Sequence, residues 1–180
     1  MKVVATDLPE VLILEPKVFG DDRGFFFESW NARTFAGLGI DATFVQDNHS
    51  RSRRGVLRGL HYQIEHAQGK LVRAVAGTVY DVVVDLRRSS PTFGRSLGVT
   101  LSAESMTMLW VPPGFAHGFL ALSDTVDFLY KTTDYWFPAH ERTLLWNDPA
   151  LGIEWPLDGA PVLTPKDAAG VPLGDAELYP

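Results

Sequence analysis

Met106-Thr107-Met108-Leu109-Trp110-Val111-Pro112-Pro113-Gly114-Phe115-Ala116-His117-Gly118-Phe119-Leu120-Ala121-Leu122-Ser123-Asp124-Thr125-Val126-Asp127-Phe128-Leu129-Tyr130-Lys131-Thr132 reads as three strands and two turns. Apolar, β-branched and aromatic residues fill Met106 to Val111, His117 to Leu122 and Val126 to Thr132. Pro112-Pro113-Gly114 and Ser123-Asp124 interrupt them where the chain must turn. The rhythm continues upstream through Ser96 to Leu101, Thr78 to Asp85 and Lys70 to Ala76. Only Gly77 separates the last two, which predicts a hairpin with a tight turn. Earlier still come Val56 to Gln63, Phe44 to Ser50, Arg23 to Trp30 and Val11 to Phe19, the last two joined by Gly20-Asp21-Asp22. Strands recurring about every ten residues with little helix predict an all-β sandwich or barrel, not a βαβ sheet. The first two thirds contain one convincing helix, capped by Asn31 and ended by Gly37 and Gly39, with Phe35 and Leu38 at helical spacing. The carboxy-terminal third holds proline-bounded stretches around Trp146 to Pro149, Ile153 to Pro156 and Leu163 to Ala169. No internal repeat is visible.

The chain has 180 residues, 46% hydrophobic and 21% charged, which predicts one globular domain over residues 1–180. It has no cysteine, which removes disulfides, thiol nucleophiles and thiolate metal sites. The amino terminus lacks the apolar run of a signal peptide, and no apolar run approaches membrane-spanning length, so a cytoplasmic protein without a membrane partner is expected. A net charge of -6 argues against nucleic acid as a partner. Arg51, Arg53, Arg54, Arg58, Lys70 and Arg73 nevertheless fall within one short span. They form either a solvated face or a site for a small anion such as a phosphate ester.

Arg58-Gly59-Leu60-His61-Tyr62-Gln63 lies at the centre of that span. Strand alternation predicts Arg58, Leu60 and Tyr62 on one face, with His61 and Gln63 on the other. A strand histidine near arginines and Lys70 has what a general base for an anionic substrate needs; a core histidine bonded to a carbonyl is the other reading. Gln46, Asn48 and Ser50 share one face of their strand, either as an exposed surface or as an unusually polar interior. Arg23 and Glu28 bracket three phenylalanines, as an exposed edge or as the polar end of an aromatic pocket. One face of that run, Phe26 or Phe25 with Phe27, is expected to join the core. No Gly-x-Ser-x-Gly elbow, Gly-x-x-x-x-Gly-Lys loop or Gly-x-Gly-x-x-Gly turn occurs. What remains is proton chemistry by histidine, tyrosine, lysine and carboxylate.

Pro112 to His117 resembles the second motif of the cupin superfamily. The first motif should supply His-x-His, but the chain has His61-Tyr62-Gln63, and His49, His66 and His140 are not spaced to compensate. A cupin-type jelly roll without a metal is therefore expected. Seven stretches in order carry a more specific resemblance: Asp21 to Ser29, Val45 to Ser50, Gly55 to Gln63, Gly69 to Arg73, Ser90 to Gly94, Pro113 to Phe119 and Tyr130 to Tyr135. With Asp148-Pro149, Trp155-Pro156 and Lys166 to Ala169, they are similar to the dTDP-4-dehydrorhamnose 3,5-epimerases over nearly the whole chain. The resemblance implies a jelly-roll homodimer that uses no cofactor and supplies the L-rhamnose precursor of cell-surface glycans.

The same resemblance implies His61 as base, Asp167 as its orienting partner, Tyr130 as acid and Lys70 as the stabiliser of an enolate oxygen. It places Arg23, Phe26, Glu28, Gln46, Asp47, Asn48, Arg58, Lys70, His117, Phe119, Glu141 and Lys166 around a dTDP-sugar, with Arg23 and Glu28 from the partner subunit. The thymine-stacking aromatic corresponds to Trp136, with Tyr135 the alternative; both being core aromatics is the remaining reading. Two rivals stay open. A single-site epimerase or ketoisomerase would change the proton geometry, while a non-enzymatic nucleotide-sugar-binding cupin would not need His61, Asp167, Lys70 and Tyr130 together.

Overall fold

Side chains alternate across a strand, and where both faces of a sheet are covered the strands are apolar on two sides. The computed structural model describes residues 1–180. Its strands run as β1 (Lys2–Val4), β2 (Leu12–Glu15), β3 (Phe19–Asp21), β4 (Gly24–Phe26), β5 (Gln46–Arg53), β6 (Leu57–Gln63) and β7 (Lys70–Ala76). They continue as β8 (Thr78–Asp85), β9 (Ser96–Ser102), β10 (Met108–Val111), β11 (Phe115–Ala121), β12 (Thr125–Thr132) and β13 (Glu141–Thr143). A six-stranded sheet in the order β1-β2-β10-β7-β12-β5 faces a five-stranded sheet in the order β13-β6-β11-β8-β9. All strand pairs within them are antiparallel. This is the expected jelly roll.

The core between the sheets is built from inward side chains such as Val72, Val79, Val83, Leu109, Phe119 and Phe128. Outside the five-stranded sheet, Leu60, Tyr62, Val82 and Val84 pack against the carboxy-terminal segment through Trp155, Leu173 and Tyr179. Outside the six-stranded sheet, Leu14, Leu71 and Trp110 pack against Phe35 and Ile40. Phe35 belongs to the predicted helix, α1 (Ala32–Ala36), where Asn31 Oδ1 accepts hydrogen bonds from the amides of Arg33 and Thr34 at 3.0 and 3.1 Å. A second short helix, α2 (Pro165–Ala168), starts at Thr164.

Three expectations are corrected. β7 and β8 do not form a hairpin: β7 lies in the six-stranded sheet and β8 in the five-stranded one. Gly77 is the corner at which the chain changes sheets. Its φ is +70°, and a Cβ there would lie 2.3 Å from the Thr125 carbonyl oxygen. The phenylalanine run does not feed the core either. β3 and β4 pair only with each other, and Phe25 and Phe26 are 64% and 71% exposed.

The third correction concerns Arg58, which lines the space between the sheets together with His61 and Gln63. β11 pairs His117 with His61 and Phe119 with Arg58, so two steps on β11 match three on β6. This bulge resets the alternation and turns Arg58 inward, while Leu60 and Tyr62 remain outward.

Candidate active site

Between the sheets lies a cavity of about 350 Å³. The six-stranded sheet lines it with Gln46, Asn48 and Ser50 from β5, Lys70 from β7, and Phe128 and Tyr130 from β12. The five-stranded sheet contributes Arg58, His61 and Gln63 from β6, His117 and Phe119 from β11, and Glu141 from β13. Gln68, Trp136 and Lys166 also line it. His61 and Tyr130 thus stand on opposite walls of one cavity. The neutral amides and hydroxyl of β5 form a polar interior, which settles the choice left open by their spacing.

His61 Nε2–H donates to Asp167 Oδ1 at 2.5 Å, and Asp167 is only 2% exposed. Thr164 Oγ1 donates to Asp167 Oδ2 at 2.7 Å and accepts from the Asp167 amide at 3.2 Å. The start of α2 therefore fixes the carboxylate that fixes the imidazole, and Nδ1 is left as the ring nitrogen without a protein partner. Burial holds the His61 pKa below its ordinary value against the opposing pull of Asp167, with nearby Lys166 and Lys70 also lowering it. Burial alone would raise the Asp167 carboxyl, but hydrogen bonds from His61 and Thr164 hold it below the usual range. The imidazole is neutral at neutral pH, and the carboxylate is ready to stabilise it once protonated.

Lys70 is buried, with Nζ 3.4 Å from the His61 carbonyl oxygen. Burial lowers its pKa to about 8, despite the opposing influence of Glu141 and Asp81. Tyr130 is pushed upward by burial and then by Glu141, so it is a neutral phenol with a proton to give. Glu141 accepts from Lys166 Nζ at 3.0 Å. A second histidine–carboxylate pair stands beside the first: His117, in register with His61, donates from Nε2 to Asp81 at 2.9 and 3.0 Å. Asp81 is fully buried, and burial raises its pKa. No three His, Asp or Glu side chains converge as metal ligands would.

A family model described as dTDP-4-dehydrorhamnose 3,5-epimerase matches residues 5–175. The chain belongs to that family. The dTDP-4-dehydrorhamnose 3,5-epimerase of Pseudomonas aeruginosa is 60% identical over 181 residues, covering 100% of both chains. A dTDP-6-deoxy-D-glucose-3,5-epimerase from Legionella pneumophila, solved in complex with dTDP-4-keto-L-rhamnose, is 50% identical with a TM-score of 0.97 over 99% of this chain and 97% of its own. A dTDP-4-dehydrorhamnose 3,5-epimerase from Bacillus anthracis with TDP and PPi bound is 45% identical, with a TM-score of 0.92 over 95% of this chain and 98% of its own.

Among the positions that the epimerase resemblance singles out, His61, Asp167, Lys70, Tyr130, Gln46, Asn48, Arg58, His117, Phe119, Glu141 and Lys166 gather at the cavity or directly behind it. Trp136 reaches the lining, while the neighbouring Tyr135 does not and is 57% exposed. Asp47 points outward and pairs with Lys131 at 2.8 Å. Arg23, Phe26 and Glu28 lie outside this chain's own cavity. Arg23 pairs with Asp21 on the β3–β4 ribbon, and Glu28 accepts from Asn31 Nδ2 at 2.9 Å. Asp81 and Thr164 were missed in the sequence, though each left a signal. Asp81 alternates with Val79 and Val83 on a core face, and Thr164-Pro165-Lys166-Asp167 is the start of a capped helix.

Proposed function

We propose that this chain converts dTDP-4-dehydro-6-deoxy-D-glucose to dTDP-4-dehydro-L-rhamnose by inverting C3 and C5. The observation that carries the reading is the His61–Asp167 pair on one wall facing Tyr130 on the other, with Lys70 between the sheets. Hydrogens at C3 and C5 flank the C4 carbonyl and are acidified by it. His61 Nδ1 takes one of them, and the resulting imidazolium is stabilised through Nε2 by Asp167. The electron pair moves onto the C4 oxygen, where the Lys70 ammonium offsets the charge. Tyr130 then returns a proton to the same carbon from the opposite face, and the configuration inverts. Solvent restores both residues before the second carbon reacts.

Arg58, with Nε bonded to Ser52 Oγ at 3.0 Å, supplies a cationic group for the diphosphate, and His117, held by Asp81, lines the same cavity. Trp136 supplies a π face for thymine. The product's proposed use is in L-rhamnose biosynthesis for cell-surface polysaccharide. The proposed setting is the cytoplasm, and no helix is long and apolar enough to cross a membrane. The proposed assembly is a homodimer in which the ribbon of one subunit brings Arg23, Phe26 and Glu28 to the other's cavity.

The test is incubation of chelator-treated protein with the 4-keto substrate in D2O, followed by NMR. Deuterium at both C3 and C5, with the L-lyxo product, is the expected outcome. Deuterium at one carbon alone would identify a single-site epimerase, and none at either carbon would identify a binding protein.

A further inference from the structure

Gln63 ends β6, two residues after His61, and is only 3% exposed. Its side-chain amide is spent entirely on backbone. Nε2 donates to the His66 carbonyl at 2.8 Å and to the Tyr135 carbonyl at 3.1 Å, while Oε1 accepts from the Phe137 amide at 2.7 Å. From the opposite sheet, Gln46 Oε1 accepts from the Trp136 amide at 3.1 Å, and its Nε2 donates to Asn48 Oδ1 at 2.9 Å. Tyr135-Trp136-Phe137 has no regular secondary structure of its own. Its backbone is held by one glutamine from each wall of the cavity.

Two of these aromatics are left in the open, with Tyr135 57% and Trp136 55% exposed. Large rings on a fixed backbone at a cavity mouth lose little freedom when a planar group stacks on them. Phe137 faces the other way and stacks on His66, with ring centroids 3.9 Å apart and an interplanar angle of 21°. His66 in turn pairs through Nδ1 with Asp134 Oδ2 at 3.2 Å. The segment is therefore fastened from below and presents its upper rings outward.

We propose that Gln63 is a positioning residue that fixes Tyr135-Trp136-Phe137 as the nucleobase platform and sets its distance from His61; the inference rests on the dTDP-sugar reading above. The base and the residue that anchors the platform ride on one strand, two residues apart, so a substrate gripped by its thymine arrives with its sugar at the imidazole. Only an amide suits the position. A carboxylate cannot donate to the carbonyls of His66 and Tyr135, and an apolar chain of equal length leaves three backbone groups without these partners.

The experiment compares binding of dTDP and of inorganic pyrophosphate by calorimetry in wild type, Gln63→Glu and Gln63→Met, with KM and kcat for the 4-keto substrate. The expected result is that dTDP binding weakens about ten-fold in both variants and KM rises in parallel, while pyrophosphate, which does not touch the platform, binds within about two-fold of wild type. Unchanged dTDP binding would overturn the proposal. So would equal weakening of both ligands, because that is the signature of general loosening. Wild type that fails to bind dTDP would instead remove the dTDP-sugar reading, and the platform with it. Should both variants fail to fold, hydrogen exchange in wild type decides: the Phe137 amide should be protected although it lies in an irregular segment, and exchange at the rate of a free peptide would refute the anchor.

Discussion

His61 serves as a base only while neutral, and Lys70 stabilises an oxyanion only while charged. Their surroundings set a window for both. Burial moves the His61 pKa below 6.5, and Lys70 falls from 10.5 to about 8. The kcat/KM should therefore rise with pH through a midpoint below the ordinary imidazole value and fall through about 8, far below a free lysine. A kcat/KM profile from about pH 5 to about pH 10, which reports the free enzyme's groups, checks this; a kcat/KM that holds level through the alkaline range would rule out the lysine's role. Unfolding does not explain the alkaline loss. Between about 8 and 10.5 the unfolded chain holds the Lys70 proton and the folded chain does not, so this group's contribution to stability increases with pH across that interval. Thermal melts over the same range should show no loss attributable to Lys70. Lys70→Met should remove the alkaline limb along with most of the rate, about a hundred-fold.

At the scale of elements, the site depends on how closely β6 and β11 approach. Gly59 has φ +112°, and a Cβ there would sit 2.7 Å from the Gly118 Cα; a Cβ on Gly118 would sit 2.5 Å from the Arg58 carbonyl oxygen. Only two glycines facing each other allow the bulge that turns Arg58 and His61 into the same cavity. Gly118→Ala should cost about 1–3 kcal/mol by overpacking and lower kcat further by displacing His61. Gly174→Ala, which meets nothing within 4 Å, is the control, and equal melts and rates for the two variants would refute the account.

This bulge also marks where the sequence stops being legible. β9 to β12 were readable because apolar runs and proline or glycine turns are local signals. The inward Arg58 was not, because a bulge is a property of two strands and the sequence displays one. The same holds for Gly77, read as a hairpin turn: whether adjacent strands pair or part depends on distant partners. The roles expected of His61, Lys70, Tyr130 and Asp167 rest on family motifs, since nothing local says that residues 61 and 167 touch. Asp81 was legible in principle as a carboxylate on an apolar face, but its partner, thirty-six positions away, was not.

At the scale of the whole molecule, one chain leaves two features incomplete. The β3–β4 ribbon exposes Phe19, Phe25 and Phe26, an apolar surface that water disfavours. β5 ends its sheet, so the strand that carries Gln46 and Asn48 into the cavity has one unpaired backbone edge. In the proposed homodimer each feature satisfies the other, and Arg23, Phe26 and Glu28 work in the neighbour's cavity. Subunit mixing tests this directly. Arg23→Ala and His61→Ala homodimers should each be nearly inactive. If Arg23 crosses between subunits, a mixed dimer has one cavity with both lesions and one with neither. Random exchange of an equal mixture makes half the dimers mixed, so activity should recover to about one quarter of wild type. If Arg23 instead serves its own chain, every cavity in the mixture carries one lesion, and activity stays at the average of the two parents. The recovered fraction, followed as subunits exchange, therefore reports whether a complete active site requires two copies of the chain.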